Sequence, residues 1–123
     1  MGKKKVLIVD DEPDIVESLK FALELEGIEC IVAHAGEEAL VKAKTAMPDL
    51  ILLDVMLPQI NGYKVSRLLK FDQAYKQIPI IMLTARAQEK DREVGTETGA
   101  DEYVTKPFAM GELVELVKRY IGE

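Results

Sequence analysis

The feature that most constrains this 123-residue chain is a set of short apolar runs that do not alternate with polar residues. Val6-Leu7-Ile8-Val9, Cys30-Ile31-Val32-Ala33, Leu50-Ile51-Leu52-Leu53 and Ile80-Ile81-Met82-Leu83 are apolar at successive positions, and Glu102-Tyr103-Val104 is a shorter fifth run. Successive side chains of a strand point to opposite faces, so an unbroken apolar run needs both faces covered. A parallel sheet with helices on each side meets that need; a sheet with one wet face does not.

The segments between the runs have helical periodicity. Ile15, Leu19, Ala22 and Leu23 recur at helical spacing, and Gly27 follows where a left-handed residue would end the helix. Residues 36–46 supply a second helix, 62–71 a third, and the last runs from about Ala109 through Leu113, Leu116, Val117 and Tyr120. A fourth segment, 89–98, offers only Val94 as a large apolar residue and carries Gly95, Thr96 and Thr98, so it is expected to be the loosest helix. Five strands alternating with five helices through right-handed crossovers predict an α/β fold, a flavodoxin-like doubly wound sandwich. Its five-stranded parallel sheet is expected in the order 2-1-3-4-5, with residues 1–123 forming one domain.

Composition narrows the function. A hydrophobic content of 48% suffices for one core, and a formal charge of −6 leaves no basic footprint for a phosphate backbone, which argues against direct nucleic-acid binding. One cysteine cannot form an internal disulfide, the apolar runs are too short to span a membrane, and the N-terminus lacks a signal-peptide pattern. The expectation is a cytoplasmic protein with protein partners and no membrane association. Lys3, Lys4 and Lys5 read as a solvated flank of the first strand.

Polar residues close the apolar runs. Asp10 and Asp11 follow the first, Asp54 ends the third, Thr84 ends the fourth and Lys106 follows the fifth. In an open α/β sheet the carboxyl ends of the strands form the ligand crevice, and strands one and three flank the point where strand order reverses. Three carboxylates gathered there repel one another unless a cation neutralises them, and Mg²⁺, which takes one or two carboxylates and a substrate phosphate, fits better than calcium. Lys106 and the Thr84 hydroxyl complete a clamp for a phosphoryl group, and Asp54, between them and the metal ligands, is the candidate nucleophile. The product would be an aspartyl phosphate.

Val-Asp-Asp-Glu around Asp10-Asp11, Leu-Asp-Val-Met-Leu-Pro around Asp54, Thr84-Ala85, Gly-Ala-Asp-Glu-Tyr and Lys106-Pro107-Phe108 together resemble the response regulator receiver family of two-component signal transduction, over essentially the whole chain. The resemblance implies that Asp54 accepts phosphate from a sensor histidine kinase or a histidine phosphotransfer protein. It implies Mg²⁺ held by Asp11, Asp54 and the Met56 backbone carbonyl, with Asp10 acting through water. Lys106 and the Ala85 N–H would contact the phosphoryl oxygens, and the Lys106–Pro107 bond would be cis. Thr84 and Tyr103 would form the switch, read by a downstream protein on the face made by the fourth helix, fifth strand and last helix. Met56 and Arg86 occupy positions that tune phosphate lifetime, and their length predicts a long-lived phosphorylated state. A monomer is expected, with dimerisation on phosphorylation left open.

Plainer readings exist for several of these residues. Asp10 or Asp11 could cap the first helix, Thr84 could be a packing residue, and Tyr103 could be a half-buried strand aromatic with its hydroxyl in water. Asp101 and Glu102 read as a solvated turn without chemistry, His34 as a surface histidine, Cys30 as a small buried hydrophobe, and Gly62 as a turn glycine beside Asp54.

Three other functions compete. A Mg²⁺-dependent phosphohydrolase with an aspartate nucleophile uses similar groups, but places its two acids two residues apart on the first strand. A flavin carrier would need a phosphate-cradling loop where Asp10-Asp11-Glu12-Pro13 stands. Within the receiver family, the sequence shows no DNA-binding or catalytic output segment, so the expectation is a stand-alone regulator or phosphorelay intermediate, with Met1 favouring a natural start. The alternative is an N-terminal receiver fragment of a larger regulator with an effector domain. On the receiver reading it is not an enzyme for external substrates.

Overall fold

The computed structural model describes residues 2–85 and 99–122. They form strands β1 (Lys5–Val9), β2 (Glu29–Ala33), β3 (Leu50–Asp54), β4 (Ile80–Thr84) and β5 (Glu102–Thr105), with helices α1 (Pro13–Leu25), α2 (Gly36–Ala46), α3 (Gly62–Lys70) and α4 (Met110–Ile121). All strand pairs are parallel, in the order β2-β1-β3-β4-β5. This is the expected doubly wound, flavodoxin-like sheet. The predicted helix over 89–98 and the candidate residue Arg86 lie outside the described residues.

The unbroken apolar runs separate into two cores. Val6 and Ile8 of β1, Leu50 and Leu52 of β3, and Ile81 and Leu83 of β4 meet α1 and α4 through Leu19, Leu23, Leu113 and Val117. Their neighbours Leu7, Val9, Ile51, Leu53, Ile80 and Met82 meet α2 and α3 on the other face through Ala39, Ala43, Val65 and Leu69. β3 and β4 are buried throughout, whereas the outer strands β2 and β5 are mostly half-buried. In α1 the buried positions are Val16, Leu19 and Leu23; Ile15 and Ala22, expected in the same stripe, are half-buried. Among the described residues no helix is long and apolar enough to cross a membrane.

Helix ends follow local chemistry. Pro13 opens α1, where a missing N–H costs nothing, and Gly27 at φ 80° donates to the Glu24 carbonyl while Ile28 reaches back to Leu23. Asn61 caps α3 by accepting the Lys64 N–H at 3.0 Å. Asp101 is exposed in its turn, as expected, and is also a structural anchor. Its carboxylate accepts the Ile80 N–H at 2.8 Å and the Lys70 ammonium at 2.9 Å, fastening the start of β4 to α3 and β5. Glu102 likewise accepts the Tyr120 hydroxyl at 2.8 Å. Both acids of that turn have structural work.

Gly62 is fixed by close approach. A Cβ there would collide with the Asp54 carbonyl oxygen and lie 2.9 Å from Val55 Cα, while its N–H donates to the Val55 carbonyl at 2.9 Å. These are backbone atoms and cannot swing aside. Gly62→Ala is therefore expected to destabilise the protein by about 1–3 kcal/mol, as overpacking does. Gly111→Ala, where nothing lies within 4 Å, should stabilise by up to about 1 kcal/mol through helix propensity. Urea midpoints of the two variants check the pair; equal midpoints would refute the steric reading.

Candidate functional site

The carboxyl edge of the sheet carries the candidate site. The order reverses at β1, whose neighbours are β2 and β3, so Asp10 just past β1 and Asp54 at the end of β3 lie side by side. Backbone bonds hold the strand ends in place: Asp10 N–H to Ala33 O at 3.2 Å, Val55 N–H to Leu83 O at 3.0 Å, and Lys106 N–H to Thr84 O at 2.6 Å. The Lys106–Pro107 peptide bond is cis.

One ammonium group faces three carboxylates. Lys106 Nζ lies 2.9 Å from Asp10 Oδ2, 3.3 Å from Asp54 Oδ1 and 3.4 Å from Glu12 Oε1. Asp10 is fully buried and Asp54 is 2% exposed. Asp10 uses its other oxygen to accept the Glu12 N–H at 2.9 Å. Burial, and then the Asp10 charge, push the Asp54 carboxyl up to about 6 against the pull of Lys106 and of the Met56 N–H that donates to it. Burial works to lower the Lys106 ammonium, but the hydrogen bond and charge of Asp10, aided by Asp54, leave it above its ordinary value.

Not every expected residue joins this group. The carboxylate oxygens that come within 4.8 Å of one another belong to Asp10, Glu12 and Asp54. Asp11, expected as a ligand, is exposed and outside it. Glu12, not singled out from the sequence, is inside; the only signal for it was the acidic run Asp10-Asp11-Glu12. The N-cap of α1 is Glu12, and its side chain makes no capping bond, so neither Asp10 nor Asp11 is there to cap.

Thr84 is buried at the end of β4, Ala85 is exposed beside it, and the Met56 side chain is exposed on the β3–α3 loop. Tyr103 departs from the expectation of a hydroxyl in water: its oxygen is buried and has no hydrogen-bond partner among the described residues. His34 is exposed at the end of β2, with Nδ1 3.3 Å from the Asp10 carbonyl oxygen. Cys30 is half-buried, and burial followed by Glu24 pushes its thiol up to about 11, which keeps it protonated and unreactive.

The donor set is all oxygen and anionic, which is what a small hard cation prefers. An octahedral shell with bonds near 2.1 Å holds donors up to about 4.2 Å apart, close to the observed grouping. Asp10, Glu12 and Asp54 together form an acidic group able to hold a divalent ion. Beside Lys106 a cleft of about 510 Å³ opens, lined by Ile15, Ser18, Pro107, Phe108 and Met110.

A doubly wound parallel sheet with buried acids and a lysine gathered at the carboxyl edge of its strands defines the class of α/β domain. Within it, this chain belongs to the response regulator receiver domain family, whose model matches residues 6–118. It is 50% identical over 115 residues to the alkaline phosphatase synthesis transcriptional regulatory protein PhoP of Bacillus subtilis, covering 94% of this chain and 47% of that protein. It is 48% identical over 118 residues to the phosphate regulon transcriptional regulatory protein PhoB of Pseudomonas aeruginosa, covering 96% and 52%. The chain thus spans about half the length of these curated relatives. Among solved structures, the receiver domain of Francisella response regulator 1452 superposes with a TM-score of 0.90 at 32% identity, covering 98% of both chains. The chemotaxis response regulator CheY4 of Vibrio cholerae does so at 0.89 and 33%, covering 96% and 98%.

The Asp54 shift has a thermodynamic consequence. Its carboxyl titrates near 3.8 in the unfolded chain and at about 6 in the folded one. Stability from this group is thus present below the lower value and lost as pH rises through the upper. At about 1.4 kcal/mol per pKa unit, Asp54→Asn should be more stable than the parent in EDTA near pH 7 by on the order of 3 kcal/mol. The gap should close toward about pH 4. Denaturant titrations at both pH values check this; a gap that is the same at both would overturn it.

Proposed function

We propose that this receiver domain takes a phosphoryl group from a phosphohistidine onto Asp54 and signals the change to a protein partner. The observation that carries this reading is the buried Asp54 carboxylate with Lys106 Nζ 3.3 Å away, on the carboxyl edge of the sheet. In the transfer, an Asp54 carboxylate oxygen forms a bond to phosphorus as the phosphorus–nitrogen bond of the donor breaks. The imidazole keeps the electron pair of that bond. Lys106 is placed to follow the phosphoryl oxygens as Asp54 loses its charge, and the Ala85 N–H and Thr84 hydroxyl stand at the neighbouring strand end to receive them.

Mg²⁺ is the cofactor of this reading. Of the residues expected to hold it, Asp54 and Asp10 lie together in the carboxylate group with Glu12, and Asp11, exposed beside them, would have to turn inward to join the Met56 carbonyl in completing the shell. When bound, it would supply positive charge that offsets the acids and draws a phosphoryl oxygen toward Asp54. The apolar cleft beside Lys106, with Ile15, Phe108 and Met110, gives a sensor histidine kinase or phosphotransfer protein a surface to approach. The buried hydroxyl of Tyr103 supports a switch coupled to Thr84, since a polar atom without a partner among the described residues costs little to move. Met56 and Arg86 are proposed to slow loss of the phosphate.

The domain would catalyse only its own phosphorylation and dephosphorylation, in the cytoplasm. Two settings fit it: a stand-alone regulator or relay intermediate, and the receiver portion of a longer regulator. The length of the curated relatives, about twice this chain, favours the second.

Incubation with acetyl phosphate and Mg²⁺ followed by intact-mass spectrometry should add one labile phosphoryl group, absent in Asp54→Asn and in EDTA. An adduct that survives the Asp54→Asn change would move the acceptor elsewhere. Steady turnover of an external phosphate ester such as p-nitrophenyl phosphate would favour the hydrolase reading.

A further inference from the structure

β2 ends the sheet, so one side of its backbone faces away from β1. Glu29 N–H donates to Lys4 O at 2.8 Å and Ala33 O accepts from Asp10 N–H at 3.2 Å, which turns the odd-numbered residues toward β1. By strand alternation, Cys30, Val32 and His34 present their N–H and C=O groups outward. An open edge of this kind, on a strand rich in β-branched residues, is self-complementary and accepts another strand.

Two side chains of α2 sit on this edge. Glu38 Oε1 accepts the outward His34 N–H at 2.7 Å, and Lys42 Nζ donates to the outward Val32 carbonyl. The other oxygen of Glu38 meets Lys42 Nζ at 2.9 Å. Acceptor stands against donor and donor against acceptor, as on a neighbouring strand. The His34 N–H, and then Lys42, hold the Glu38 carboxyl below its ordinary range. An exposed pair at this spacing contributes little to helix stability, so its placement calls for another explanation.

We propose that the Glu38–Lys42 pair occupies the outer edge of β2 as a surrogate strand and keeps it from pairing with β2 of a second copy of this chain. The pair covers one donor and one acceptor at the carboxyl half of the strand. A second β2 approaching antiparallel would have to displace both, and the outward groups of Cys30 and Val32 alone are too few for a stable ladder. The partner considered is the same strand, because a second copy is present at the chain's own concentration and a two-fold antiparallel approach sets the outward groups of the two β2 strands opposite one another.

The test uses two double variants of the full chain. Glu38→Ala with Lys42→Ala removes the cover, keeps good helix formers and leaves the formal charge of −6 unchanged. Glu38→Lys with Lys42→Glu keeps an ion pair but sets donor against donor and acceptor against acceptor. Sedimentation velocity over a concentration series is expected to show self-association of both variants strengthened at least about tenfold over the parent, about 1.4 kcal/mol. Amide exchange at Cys30 and Val32 should slow in the associated form. Variants that sediment like the parent overturn the proposal. So does association that leaves those two amides exchanging as before, or a charge-reversed variant that stays as monomeric as the parent.

Discussion

Everything at the carboxyl edge of the sheet depends on one ammonium group. Lys106 stands against two buried carboxylates from adjacent strands and a third at the entrance. Carboxylates withdrawn from water are costly unless paired, and removing one partner of a buried charged group typically costs about 3–5 kcal/mol. Lys106 is in turn held by the Thr84 carbonyl and by β4–β5 pairing. Asp54 is held by the Met56 N–H and by a backbone that α3 approaches so closely that only glycine fits at position 62. The acids and their cation thus arrive from strands far apart in sequence, and the parallel order of the sheet is what makes them meet.

The elevated Asp54 carboxyl expresses an unfinished balance. One positive charge cannot satisfy Asp10 and Asp54 together, and Asp10 has the shorter contact and a second bond to Glu12 N–H. Asp54 is left as the less satisfied oxygen base, on the side of the pocket where the β3–α3 loop exposes Met56. A group in that position gains most from any further cation or from having its charge covered by phosphorus.

Much of this was legible in the residues because it rests on period and position. Four unbroken apolar runs demand cover on both faces, and the residues that end them must share one edge; Asp10, Asp54, Thr84 and Lys106 follow from that alone. What was not legible depends on where a side chain turns once the regular strand has ended. Asp11 and Glu12 are neighbours in an acidic run, yet the path from β1 into α1 sends Asp11 to solvent and Glu12 toward Lys106. Spacing carries no record of that path. Asp101 sits exposed in the turn that its charge marks, but charge alone does not tell that its carboxylate accepts the Ile80 N–H at the start of β4. The Tyr103 hydroxyl was misjudged for a similar reason: a half-buried residue can still bury its polar end.

The division of the interior into two cores has a wider consequence. Alternate residues of β1, β3 and β4 feed opposite faces, so the α1–α4 layer and the α2–α3 layer share backbone but hardly any side-chain contacts. Changes on one face seldom force compensating changes on the other, since well-separated substitutions act nearly independently. The layer bordering the cleft beside Lys106 can therefore change its surface while the opposite layer stays constant, and a lineage of such domains can vary one face without rebuilding the sheet.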